Sequence, residues 1–222
     1  MPGLNGTDGL FKSLIDSMQG HFEVLTISYP TDSVKSYQEL TSLVIKELEA
    51  VTGKYIILGE SFSGPVSLFV SQARPEGLIG LVLVATFIRA PNLRVGRFLP
   101  WRIGFSLTKP LYSLRVAFSK SSNQTLITNI STEMQKVSTR VLAARIREIF
   151  AVDASDALCG CRVPVVYFRG TKDFVVPKKN LKEILLLKPD VAVVEFKEQH
   201  FILQSSPEKA FNEIRKFAEG CA

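Results

Sequence analysis

Residues 55–64 read Y-I-I-L-G-E-S-F-S-G, an apolar run that breaks at Gly59 and sets Ser61 where a buried strand must turn sharply into a helix. A turn that tight leaves little room for side chains two positions before and after the serine. Gly59 and Ser63 are both small, and Gly64 follows. The stretch is the relaxed small-x-Ser-x-small form of the G-x-S-x-G strand-turn-helix pattern, with Ser63 in place of the second glycine. It commits the chain to a strand leading at once into a helix, and it raises a hydroxyl at the end of a sheet. Ser63 reads as a packing residue that accommodates the turn, and Glu60 as a polar partner for nearby loops.

The flanking sequence supplies the rest of such a sheet. Residues 22–29 (F-E-V-L-T-I-S-Y) are β-rich and end at Pro30, so they are expected to form a strand. Within residues 34–51, Tyr37, Leu40, Val44, Ile45 and Leu48 recur at helical spacing, and the pattern stops before Gly53. Residues 55–58 form the strand feeding Ser61. Residues 65–74 are expected to be helical, with Pro65 in the first turn where proline is tolerated. Residues 78–88 read as the next strand. The same alternation returns with a strand over 163–168, a helix over 177–187, a strand over 191–196 and a helix over 207–218 that Ser206 caps and Gly220 follows. Short, nearly continuous apolar strands separated by helices specify an α/β fold, a mostly parallel sheet covered on both faces.

Between these halves the rhythm breaks. Residues 89–158 begin with Pro91, Pro100 and Pro110 amid Phe98, Trp101, Phe105, Tyr112 and Phe118, then turn helical from about Asn123 through Val137, Val141, Leu142, Ile146 and Ile149. This is a helical insertion, with residues 1–88 and 159–222 forming the core. Over residues 89–149 there are eleven Lys or Arg against Glu133 and Glu148, an excess of nine in a chain whose net charge is +6. The basic, aromatic stretch 89–120 suits either a pocket for an apolar group with solvated charges or weak contact with an anionic membrane. Its prolines and poor helical phase favour the pocket. No recognition motif accompanies the charge, so no nucleic-acid partner is expected. No apolar stretch approaches the ~18 residues of a membrane span. Cys159, Cys161 and Cys221 form no even framework and lack His at ligand spacing, so no metal is expected and a reducing cytoplasm fits.

A serine hydroxyl attacks efficiently only when a base takes its proton and a carboxylate orients that base. The chain has two histidines, His21 and His200. His21 precedes a β-rich segment and reads as a loop residue. His200, in E-Q-H-F-I-L-Q, follows the last strand, and Asp173, in R-G-T-K-D-F-V-V-P, follows the strand over 163–168. Ser61, Asp173 and His200 therefore all lie after strands of one parallel sheet, the edge where such sheets build their sites.

With G-E-S-F-S-G as nucleophile elbow, G-T-K-D-F-V-V-P as acid loop, E-Q-H-F-I-L-Q as histidine loop and P-G-L-N-G-T near the start as oxyanion-side loop, the chain resembles the α/β-hydrolase superfamily over nearly its whole length. The resemblance implies Ser61 as nucleophile, His200 as general base and then acid, and Asp173 as the orienting carboxylate. It also implies the backbone N–H groups of Phe62 and Leu4 as oxyanion donors, residues 89–158 as a helical cap, and no cofactor. The implied activity is hydrolysis of a small-molecule carboxylic ester through an acyl-serine intermediate, and the apolar cap suggests medium or long acyl chains or a bulky apolar alcohol. An acyltransferase or thioesterase would use the same triad, and a non-catalytic ligand-binding protein would share the fold. In the family a central strand precedes the oxyanion-side loop and lies between the strands corresponding to residues 22–29 and 55–58. Here Met1 stands directly before Pro2. The fold is thus expected either to be N-terminally truncated or to pair residues 22–29 directly with residues 55–58. Oligomeric state has no signature in the sequence.

Overall fold

The computed structural model describes residues 1–90 and 124–221. The aromatic and basic residues between Pro91 and Lys120, and with them the reading of that stretch as pocket or membrane contact, lie outside the described residues.

Four strands, β1 (Tyr55–Glu60), β2 (Leu78–Val84), β3 (Val165–Gly170) and β4 (Ala192–Phe196), form one parallel sheet in chain order. Pairing runs Leu58 to Val82, Val82 to Val166 and Phe168 to Val194. Period-two alternation divides the strand residues between two cores. Ile57, Leu81, Leu83, Val165 and Tyr167 face one, while Val82, Val84, Val166, Phe168 and Phe196 face the other. Helices α2 (Tyr37–Leu48), α3 (Ser63–Gln72), α6 (Ser155–Cys159) and α7 (Lys178–Leu187) cover the first face. Helices α1 (Lys12–Met18), α8 (Ile202–Ser205) and α9 (Pro207–Cys221) cover the second. Each fully buried Leu, Val or Phe contributes roughly 1.5–3 kcal/mol, so both layers hold the sheet.

Between β2 and β3 the insertion forms α4 (Gln124–Gln135) and α5 (Thr139–Ala151). The single amphipathic run expected through Val137 is broken there. Ser138 caps α5 by accepting from the Val141 N–H at 3.3 Å, and its own N–H donates to Thr31 O at 2.9 Å. The two helices share a small core of Leu126, Ile130, Met134, Val137, Val141 and Leu142. At its base, Arg89 pairs with Asp153 at 3.0 Å.

Residues 22–29 are not a strand. Among the described residues, the backbone bond from this stretch to a distant segment is Tyr29 N–H to Gly6 O at 2.7 Å, and no part of the stretch pairs with β1. A cleft of about 620 Å³ separates residues 22–26 from Tyr55, Ile56 and Leu58. β-branched and aromatic composition describes a fit to a pleated surface and cannot make a ladder without a neighbouring edge. Of the two arrangements expected, direct pairing of residues 22–29 with residues 55–58 is not the one observed. Two helix-end readings also change. Gly220 lies inside α9, and the Ser206 hydroxyl donates to Glu198 Oε1 at 2.9 Å.

Candidate active site

Ser61 follows β1 with φ +50°, a strained value for a residue with a side chain. Its surroundings fix the conformation. The Ser61 N–H donates to Val84 O at 2.8 Å, and the Thr86 hydroxyl donates to Ser61 O. Thr86 is held in turn by Tyr167, which accepts from the Thr86 N–H at 3.0 Å and donates its hydroxyl to Thr86 O at 2.7 Å. Gly59 and Gly64 are required by space. A Cβ on Gly59 would collide with Ser67 and the Ser63 backbone, and one on Gly64 with Thr86.

The loops after β3 and β4 bring the other two polar groups to the serine. His200 Nε2 lies 2.9 Å from Ser61 Oγ, and His200 Nδ1 lies 2.9 Å from Asp173 Oδ2. The second Asp173 oxygen accepts from the N–H groups of Val175 at 2.8 Å and Val176 at 3.0 Å, which fixes the carboxylate plane. Burial alone would lower the His200 pKa. The charge and hydrogen bond of Asp173, helped by the charge of Glu60, outweigh that effect and leave it above the ordinary histidine value. His21 is remote from this group and packs its ring 5.1 Å from that of Phe211.

Glu60 is buried and accepts from Gln204 Nε2 at 3.0 Å, a polar partner on α8. Burial raises its carboxyl pKa, with the Gln204 bond and the charges of His200 and the Met1 amine acting against that rise. Phe62 caps α3, and its ring stacks on Tyr37 at 4.7 Å while Tyr37 donates its hydroxyl to Phe62 O at 3.1 Å. Leu4 occupies a turn closed by Gly6 N–H to Gly3 O at 3.0 Å. Among the described residues, no backbone acceptor meets the N–H of either Phe62 or Leu4.

Three residues to which the sequence assigned no such role hold the Leu4 loop in place. Ser63 is fully buried. Its hydroxyl donates to Pro2 O and lies 2.6 Å from the Tyr29 hydroxyl, so it ties the elbow to that loop instead of merely filling a tight turn. Arg145 is only 3% exposed although it was counted among the basic residues of the insertion. It donates to Leu4 O at 2.8 Å and Pro30 O at 2.9 Å. Burial pushes its guanidinium down to about 10, which leaves it charged at neutral pH. Glu133, also buried, accepts from Thr7 Oγ1 at 2.6 Å and from Lys136 Nζ at 2.6 Å. The helical period carries a signal for this burial, because α5 places Arg145 on the same face as Val141 and Leu142.

A cavity of about 40 Å³ adjoins Ser61 and His200, lined by Leu4, Leu10, Ile130, Met134 and Phe201 among others. No helix among the described residues is long and apolar enough to cross a membrane.

No family model and no curated protein matches the sequence. Solved structures do. A hydrolase from Pseudomonas aeruginosa superposes with a TM-score of 0.83 at 16% identity, covering 97% of this chain and 87% of that one. The enol-lactonase from Burkholderia xenovorans gives 0.81 at 14% identity, covering 98% and 88%. A lipase-esterase related protein from Clostridium acetobutylicum gives 0.74 at 14% identity, covering 97% and 91%.

Proposed function

We propose that this chain, which has the α/β-hydrolase fold, is a serine hydrolase acting on carboxylic esters. The observation that carries this reading is the continuous chain from Ser61 Oγ through both His200 nitrogens to Asp173, each link 2.9 Å long. As Ser61 Oγ bonds to the ester carbonyl carbon, its proton passes to His200 Nε2, and Asp173 stabilises the imidazolium. The N–H groups of Phe62 and Leu4 donate to the resulting oxyanion, where a single such donor is worth ~2.7–4 kcal/mol. Collapse of the intermediate breaks the bond to the alcohol, which leaves with the His200 proton. Water then attacks the acyl-Ser61 ester with His200 again as base, releasing the acid and restoring the hydroxyl.

The cavity beside Ser61 supports an apolar acyl group but a short one. Among the described residues, its volume of about 40 Å³ corresponds to roughly three water-sized volumes. The test is turnover of p-nitrophenyl acetate, butyrate and octanoate by the purified protein. Acetate is expected to give the highest kcat/KM. Folded protein that hydrolyses none of the three would end the ester reading, and a preference for octanoate would end the short-chain assignment.

A further inference from the structure

The small cavity beside Ser61 has an apolar wall that includes Leu10, Ile130 and Met134, but one corner of it is polar, lined by Gly3, Asn5 and Glu60. Asn5 and Glu60 are nearly buried, at 6% and 4% exposure. Both are fixed from behind. Asn5 Nδ2 donates to Thr7 O at 3.0 Å and to Thr7 Oγ1 at 2.6 Å. A carbonyl only accepts, so this end of the amide is the nitrogen and Oδ1 is the atom left over. Thr7 is itself held by Glu133 on α4. Glu60 Oε1 accepts from Gln204 Nε2 at 3.0 Å, which leaves Oε2.

Among the described residues, neither Asn5 Oδ1 nor Glu60 Oε2 accepts a hydrogen bond. The charges of His200 and the Met1 amine act on Glu60, but the His200 nitrogens face Ser61 and Asp173 and the amine donates to Leu58 O. Gly3 shows where the two oxygens face. A Cβ built on it would stand 3.8 Å from Asn5 Oδ1, 3.8 Å from Glu60 Oε2 and 3.8 Å from Ser61 Cβ. The absent side chain therefore leaves an open point in contact with two acceptors and the nucleophilic residue at once. A substrate that excludes water from this corner must supply donors to both oxygens. A hydroxyl brings one proton, whereas an ammonium brings three and a charge opposite to that of a carboxylate.

Granting the serine-hydrolase reading, on which this rests, we propose that the site selects esters of short α-amino acids, with the substrate's ammonium held at Asn5 Oδ1 and Glu60 Oε2. In an acyl-serine, four bonds separate an α-nitrogen from the serine Cβ, a reach of roughly 4–5 Å that brings it to the open point over Gly3. The cavity of about 40 Å³ limits the acyl part to a glycyl-sized or alanyl-sized group. Glu60 is then a specificity-determining residue, and Glu133 positions Asn5 through Thr7.

Glycine methyl ester and methyl propanoate form the matched pair for the test, since they differ by an ammonium in place of a methyl group. Their hydrolysis is followed by pH-stat at about pH 7, where an α-ammonium stays protonated, and each kcat/KM is divided by the ester's rate with hydroxide. The glycine ester should be favoured by at least about tenfold, the equivalent of one charge-assisted bond. Glu60→Gln keeps an acceptor for Gln204 but turns an amide nitrogen toward the ammonium, and it should erase the preference. Turnover of both esters with no preference, or a preference that survives Glu60→Gln, would overturn the proposal and leave the ester hydrolase standing. Binding decides where turnover does not. In the Ser61→Ala protein, nuclear magnetic resonance titration should show glycinamide binding at least about tenfold more tightly than its isostere propanamide. If neither ester nor p-nitrophenyl acetate is hydrolysed, the ester reading falls, and equal binding of the two amides would overturn the ammonium site as well. Should Glu60→Gln fail to fold, Gly3→Ala adds a methyl that meets only ordinary contacts and fills the same point. It should abolish the preference for glycinamide, and survival of that preference would overturn the assignment.

Discussion

The two sides of the candidate site are anchored by different means. Ser61, Asp173 and His200 stand in loops that leave β1, β3 and β4, strands paired along their length in one sheet. The Leu4 loop is joined by backbone bonds of Met1 to Leu58 and Glu60 on β1 and of Gly6 O to the Tyr29 N–H, and otherwise by side chains from other elements: Ser63 on Pro2 O, Arg145 on Leu4 O, and Glu133 on Thr7. Backbone ladders hold the proposed triad through many small, redundant bonds, whereas a few buried polar side chains hold the proposed oxyanion side. Losing one of those few leaves a buried group unsatisfied, at about 1–3 kcal/mol each. The triad side should therefore fail only when its own chemistry is removed, and the oxyanion side should fail through residues that never touch substrate.

That contrast breaks first, and most severely, at the triad. Ser61→Ala should lower kcat by about 10⁶-fold with the near-UV circular dichroism spectrum unchanged. Asp173→Asn should cost about 10⁴-fold, because the amide favours the wrong His200 tautomer, and stopped-flow ester hydrolysis would measure it. His21→Ala should leave kcat unaltered.

On the other side, Arg145→Met removes two buried bonds and is expected to lower unfolding free energy by about 2–4 kcal/mol in urea titrations. It should also reduce kcat by roughly tenfold to a hundredfold, a fraction of what loss of an oxyanion donor costs. A change within about 0.5 kcal/mol, as for an exposed arginine, would contradict side-chain anchoring of the Leu4 loop. Ser63→Gly sharpens the point, since it restores the usual G-x-S-x-G spacing while cutting the tie to Pro2 and Tyr29. We expect a loss of about 1–2 kcal/mol and a several-fold lower kcat. Higher activity would mean that Ser63 only fills the turn.

The smallest effect is a displacement along the pH axis. Ester attack needs neutral His200, whose pKa lies above the ordinary value of about 6.5, so kcat/KM should fall as pH drops through a midpoint above 6.5. A midpoint at or below 6.5 would show that Asp173 does not outweigh burial.

The same division governs what the sequence revealed. Ser61, Asp173 and His200 could be found because each follows an apolar strand, and strand ends are local patterns. Ser63 and Arg145 could not be assigned their roles, since Pro2 and Leu4 lie 61 and 141 residues away in the chain. Residues 22–29 misled for a related reason. Their composition suits a strand, but strand formation depends on a neighbour, and beside them lies a cleft. The break between α4 and α5 was hidden because Val137 keeps the apolar period across it, while the Ser138 cap and its bond to Thr31 end the helix.

The most direct test of a nucleophilic Ser61 is reaction with a fluorophosphonate followed by peptide mass spectrometry. One phosphonyl adduct is expected, on the peptide carrying Ser61, and abolished in both Ser61→Ala and His200→Ala. No adduct on the folded protein, or an adduct on another residue that survives Ser61→Ala, would contradict it.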